Sequence, residues 1–152
     1  MMLPTPSQTV GPFFSFGLAW MVPQEPVDTG FVVEGVVVDK NADPVGDALV
    51  EALWVANGQA AFARSLCEPT GRYHLRITAS GSEVASPILV SVFARGLLQR
   101  LVTAMYLTDI GDELLCSLDP LRRQTLIAKP TPTGYAFDVI LSGESETVFL
   151  AW

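Results

Sequence analysis

The chain has 152 residues, 49% of them apolar and 16% charged, which is the composition of a single globular domain. A chain of this length buries about 68–70% of its extended surface on folding, so no metal or disulfide staple is required. Nine basic against 16 acidic residues give a formal charge of −7, which argues against nucleic acid or an anionic membrane as a partner.

In chain order, the amino-terminal arm comes first. Prolines at 4, 6, 12, 23 and 26 interrupt Phe13, Phe14, Phe16, Leu18, Trp20 and Met21. Proline at this density removes backbone donors and fixes φ, so the arm is expected to be extended, neither a long helix nor a central strand. Four aromatic rings that cannot fold alone must pack on this domain or on a partner, each worth about 1.5–3 kcal/mol when fully buried. The apolar stretch 13–22 is interrupted by Ser15 and Gly17 and is too short to span a bilayer. With no basic residue before Lys40, the start lacks the positive flank of a secretory signal, and a cytoplasmic location is expected.

Beyond the arm, β-branched and aromatic segments alternate with turn residues, the pattern of an all-β fold. The expected architecture is a Greek-key β-sandwich with an extended N-terminal arm (1–30), one domain (31–152) and one short helix. Residues 31–39 form the first strand and 48–55 the second, expected to pair as a hairpin. Asn57-Gly58 then supplies a tight turn. Residues 72–77 place Tyr73, Leu75 and Ile77 on one face and Arg72, His74 and Arg76 on the other. Further strands are expected at 88–93, covered on both faces, at 97–107 and at 135–141. Asp119-Pro120 caps the one predicted helix, which continues through Arg122 to Leu126.

Reactive groups are few. His74 is the only histidine and falls on the solvent side of its strand, so a histidine-based triad or metal centre has too few members. Cys67 and Cys116 lack a Cys-x-x-Cys spacing and read as two thiols, at least one buried. The carboxylates Asp109, Asp112, Glu113, Glu144 and Glu146 read as solvated turn residues. No Gly-x-Ser-x-Gly elbow or phosphate loop occurs. Arg95, at the end of the apolar run 88–94, is placed to pair with a carboxylate across a sheet edge or to meet a ligand.

Six segments carry a resemblance: Thr5-Pro-Ser-Gln-Thr-Val-Gly-Pro-Phe-Phe14, Val33-Glu-Gly-Val-Val-Val-Asp39, Ser91-Val-Phe-Ala-Arg-Gly-Leu-Leu98, Arg100-Leu-Val-Thr103, Arg122-Arg-Gln-Thr-Leu-Ile-Ala128 and Tyr135-Ala-Phe-Asp138 through Glu146-Thr-Val-Phe149. In order and over nearly the whole chain, they resemble the α chains of the protocatechuate 3,4-dioxygenases, intradiol ring-cleaving enzymes. The resemblance implies a large hetero-oligomer with a homologous β chain. A ferric ion held there by two tyrosines and two histidines cleaves protocatechuate or a related catechol with dioxygen. The β chains' His-x-His pair falls here on Pro87-Ile88-Leu89, and the segment bearing a tyrosine ligand looks deleted between Trp54 and Phe62. This chain is therefore expected to hold no metal and no catalytic residue, and to line the partner's substrate pocket with Thr9, Gly11, Pro12, Phe13 and Arg95. Phe13 stands where many α chains have tyrosine, which removes a hydroxyl from that wall. The alternative is a stand-alone β-sandwich acting as a binding or assembly module.

Overall fold

The computed structural model describes residues 30–78, 84 and 87–151, together with Pro6, Gly11, Gly17 and Leu18. Among them the elements run β1 (Gly30–Val38), β2 (Leu49–Ala56), β3 (Gln59–Leu66), β4 (Arg72–Thr78), β5 (Ile88–Phe93), β6 (Leu101–Met105), α1 (Glu113–Ser117), α2 (Pro120–Gln124), β7 (Lys129–Thr131), β8 (Gly134–Ala136) and β9 (Val139–Ile140). One sheet has the order β4-β1-β8-β7, with β9 continuing alongside β1; the other is β3-β2-β5-β6.

Period-two alternation builds the core between these sheets. Val33 and Val37 of β1 and Tyr73, Leu75 and Ile77 of β4 meet Val50, Ala52 and Trp54 of β2 and Ile88, Val90 and Val92 of β5, all buried. The Trp54 indole also donates to the Thr78 carbonyl at 3.0 Å, so the bulkiest side chain in this layer satisfies its polar atom across the sandwich. A smaller core lies outside the second sheet, where Ala104 and Tyr106 pack with Leu115, Leu126 and Val148. No helix among the described residues is long and apolar enough to cross a membrane.

Several expectations change. The first two strands do not form a hairpin: β1 pairs antiparallel with β4, while β2 pairs with β3. The 39–46 connection is folded against β1 by Val45 N–H bonding the Val37 carbonyl at 2.9 Å, and the chain then crosses to the other layer. Asn57-Gly58, with φ of 53° and 72°, instead joins β2 to β3 in the left-handed geometry that matches strand twist. That turn occupies the place where a family segment looked deleted. The strand expected over 135–141 breaks into β8 and β9, both parallel to β1. At the break the Asp138 carboxylate accepts from Val36 N–H at 3.1 Å, replacing a ladder bond. The expected strand at 97–107 shortens to β6. On β5, expected to be covered on both faces, Leu89, Ser91 and Phe93 are only half-buried.

Between β6 and β7 two helices replace the expected one. Asp119 caps α2 as anticipated, accepting from Leu121 N–H at 3.0 Å and Arg122 N–H at 3.1 Å. The additional helix, α1, starts at the supposed solvated cluster. Asp112 is its N-cap, accepting from Leu115 N–H at 2.9 Å.

Candidate functional site

Arg95 owes its position to the end of β5. Ala94 is buried, and the Leu97 N–H to Ala94 carbonyl bond of 3.3 Å closes a turn with Arg95 and Gly96 at its centre. Gly96 has φ of 87°, the conformation that a type II turn demands of its third residue. Pairing of Leu49 with Phe93 brings the approach to β2 alongside, and Asp47 Oδ2 lies 3.3 Å from Arg95 Nε. That oxygen is buried and has no aligned hydrogen bond, so the contact is an ion pair held at a distance. The Arg95 side chain is 70% exposed, which limits the pair to about 0–1 kcal/mol. Among the described residues Arg95 makes no other ion pair, and its exposed edge is open to an anion.

The groups behind this corner are closed to chemistry. Cys67 donates its N–H to the Ala48 carbonyl at 2.8 Å, and burial, with Asp47 adding repulsion, pushes its thiol up to about 12. Tyr73 donates its hydroxyl to the Phe137 carbonyl at 2.5 Å, and burial raises its phenol far above the ordinary range. Both cysteines are free thiols, Cys67 buried and Cys116 exposed.

Of the other expected pocket residues, Thr9, Pro12 and Phe13 lie outside the described residues. Gly11 is exposed, and a Cβ there would meet nothing within 4 Å. No described contact joins Gly11 to Arg95. A separate cavity of about 440 Å³ lies between α2 and the β7–β9 region. Arg122 and Lys129 face Asp138 and Glu144 over a floor that includes Phe137 and Ile140. Two cations and two carboxylates cancel there, and Arg95 is not among the described lining residues.

The donor set does not fit a ferric centre of two phenolates and two imidazoles. His74 is exposed on β4, opposite Glu34. The positions aligned with the histidine pair are Pro87 and Leu89, both half-buried and neither with a donor side chain. Tyr106 donates to Asp112 Oδ2 at 2.6 Å, its phenol raised by burial and by that bond. Tyr135 meets Phe31 edge to face at 5.1 Å. Among the described residues no group of three or more His, Cys, Asp or Glu side chains is arranged to hold a metal.

Comparison with known proteins gives two curated relatives named protocatechuate 3,4-dioxygenase alpha chain. The Pseudomonas putida protein is 31% identical over 191 aligned positions, spanning 95% of this chain and 94% of its own. The Burkholderia cepacia protein is 30% identical, with 95% of each covered. The chain belongs to the protocatechuate 3,4-dioxygenase alpha-chain family. No family model matches it. Because 191 positions are aligned against 152 residues, the alpha-chain relative carries segments that this member lacks.

Solved structures place the fold in the same group. The dioxygenase domain of a dioxygenase carbohydrate-binding protein fusion from Streptomyces sp. SirexAA-E has a TM-score of 0.52 at 20% identity, covering 84% of this chain and 86% of that one. Chlorocatechol 1,2-dioxygenase from Pseudomonas putida has a TM-score of 0.50 at 12% identity, covering 78% and 61%. The β-sandwich of this alpha-chain family member is thus the intradiol dioxygenase fold.

Sequence reasoning anticipated that Arg95 pairs with a carboxylate across a sheet edge but did not single out Asp47, which is remote in the chain and reaches it through the pairing of β2 with β5. It also missed the role of Asp112, although Asp112-Glu113 ahead of the apolar pair Leu114-Leu115 is a helix-start signal.

Proposed function

We propose that this chain is the non-catalytic alpha subunit of a protocatechuate 3,4-dioxygenase. It walls the active site of a homologous beta chain that cleaves 3,4-dihydroxybenzoate with dioxygen to 3-carboxy-cis,cis-muconate. The observation that carries the reading is the pair of alpha-chain relatives matched over 95% of this chain. A donor set unsuited to iron accords with it. The ferric ion belongs, on this reading, to the beta chain, and the isolated alpha chain is inactive.

In the assembled enzyme Thr9, Gly11, Pro12 and Phe13 line the partner's substrate cavity, and Arg95 supplies the positive charge. An arginine that is mostly exposed and bound to a single carboxylate keeps donors for a second one, the carboxylate of the substrate. Phe13 contributes shape without a hydroxyl.

Co-expression with a beta chain bearing the His-x-His motif tests the assignment. The expected product is a coloured, iron-containing complex that cleaves protocatechuate. A colourless alpha chain that purifies alone would instead support the stand-alone binding module. In the complex, Arg95→Ala is expected to lower kcat/KM about tenfold, mainly through KM, as loss of one charged contact to the substrate requires. Unchanged kinetics would remove Arg95 from the site.

A further inference from the structure

Among the described residues, Asp47 carries the one buried carboxylate oxygen that accepts no aligned hydrogen bond. Native folds rarely leave such an atom unpaired, because nothing then offsets the loss of its water. The cation beside it is Arg95, whose Nε lies 3.3 Å from this oxygen.

The backbone holds Asp47 in place from both sides. Before it, a Cβ on Gly46 would stand 2.6 Å from Pro69 Cα, so this segment packs directly on the 67–71 connection. After it, Ala48 is fully buried, and its carbonyl accepts from Cys67 N–H at 2.8 Å. Arg95 has no comparable fixation. Its side chain is 70% exposed against 24% for Asp47, and beside it a Cβ on Gly96 would meet no described atom within 4 Å. The pair joins a fixed carboxylate to a long side chain at the edge of open space.

We infer that Asp47 is a positioning residue for Arg95, turning the guanidinium so that its two terminal nitrogens face the carboxylate of the substrate. The inference rests on the alpha-subunit reading and deepens it. A guanidinium offers two edges, one made by Nε with a terminal nitrogen and one made by both terminal nitrogens, and each can hold a carboxylate through two parallel bonds. Asp47 stands at the Nε side, which leaves the terminal edge whole. The misaligned contact suits this role, since bonds that support a bound ligand are often loose before it arrives and tighten around it. With a second carboxylate on the terminal edge, the guanidinium plane is fixed between the two, and the Asp47 oxygen gains its donor.

Charge alone predicts the opposite effect. As a bare negative charge near the seat of an anion, Asp47 weakens binding, and its removal would strengthen it. As a positioning residue it restricts the rotamers of Arg95 beforehand, and its removal weakens binding. The sign of the change in KM separates the two.

The test uses the assembled enzyme with Asp47→Asn and Asp47→Ala. Both are expected to raise KM for protocatechuate about threefold or more, as loss of a charged hydrogen bond implies, with kcat changed by less than about twofold. Catechol, the same ring without the carboxylate, offered as a competitor, is expected to bind within about twofold of wild type, because it gives Arg95 nothing to hold. In an Arg95→Ala background, Asp47→Asn is expected to add less than about twofold. In the full-length chain alone, NMR relaxation of the Arg95 Nε–H is expected to show greater mobility in both variants than in wild type. A lower or unchanged KM, an equal loss for catechol, multiplicative losses with Arg95→Ala, or unchanged relaxation would overturn the positioning role and leave the alpha-subunit reading intact. A wild-type chain that forms no active complex with a beta chain would overturn that reading, and this role with it.

Discussion

Cys67 shows how one buried group sets a pH limit. Its thiol is pushed up to about 12 from an ordinary 9.0, first by burial and then by Asp47. The folded chain therefore holds a proton that the unfolded chain releases from about pH 9 upward. Stability from this group is complete below pH 9 and is lost as pH rises towards 12, by about 1 kcal/mol between pH 9 and 10. Tyr73, also raised by burial, adds to the loss above its ordinary value of 10.0. Urea midpoints should hold steady from pH 7 to 8.5 and then fall. Cys67→Ala should be less stable at pH 7 but show a shallower fall between pH 9 and 10; an identical slope would mean that the thiol does not contribute. In native protein at pH 8 a thiol reagent should label exposed Cys116 and spare Cys67.

At the scale of elements, α1 depends on Asp112, which holds both Leu115 N–H and the Tyr106 hydroxyl and so ties the helix start to the end of β6. Asp112→Ala removes the cap and leaves a phenol without its acceptor, an expected loss of about 2 kcal/mol. Tyr106→Phe should lose about 1 kcal/mol, and the double variant less than the sum, because the two share one bond. Thermal denaturation of the four proteins completes that cycle.

The same element shows what sequence reading reaches. Strands with strict alternation, such as β4, and a capped helix start, such as Asp119-Pro120, are visible because local chemistry dictates them. The strand β3 escapes because Gln59-Ala-Ala-Phe62 has little β-branched character and is held by its ladder to β2. The break at Phe137-Asp138 escapes because it answers a long-range constraint: a Cβ on Gly35 would stand 2.0 Å from the Phe137 carbonyl. At the candidate site, the turn that presents Arg95 is legible from its place after an apolar run and before a glycine. The ion pair with Asp47 is not, since it depends on which strands become neighbours.

For the whole molecule, net charge and local charge oppose each other. A chain of −7 repels an anionic aromatic acid at long range, and Arg95 reverses the sign only nearby. Ionic strength separates the two effects, because screening acts over about 10 Å at 0.1 M salt and falls to about 3 Å at 1 M. On the proposed alpha-subunit reading, raising salt from 0.05 to 0.5 M in the assembled enzyme should increase KM for protocatechuate as the attraction to Arg95 is screened. In Arg95→Ala only the repulsion from the acidic surface remains to be screened, so its KM should stay flat or fall over the same range. Arg95→Lys should keep the wild-type direction of the salt effect with a weaker KM, since it retains the charge and loses the planar donor fork. Parallel salt profiles for wild type and Arg95→Ala would mean that the charge governing substrate entry lies on the beta chain alone.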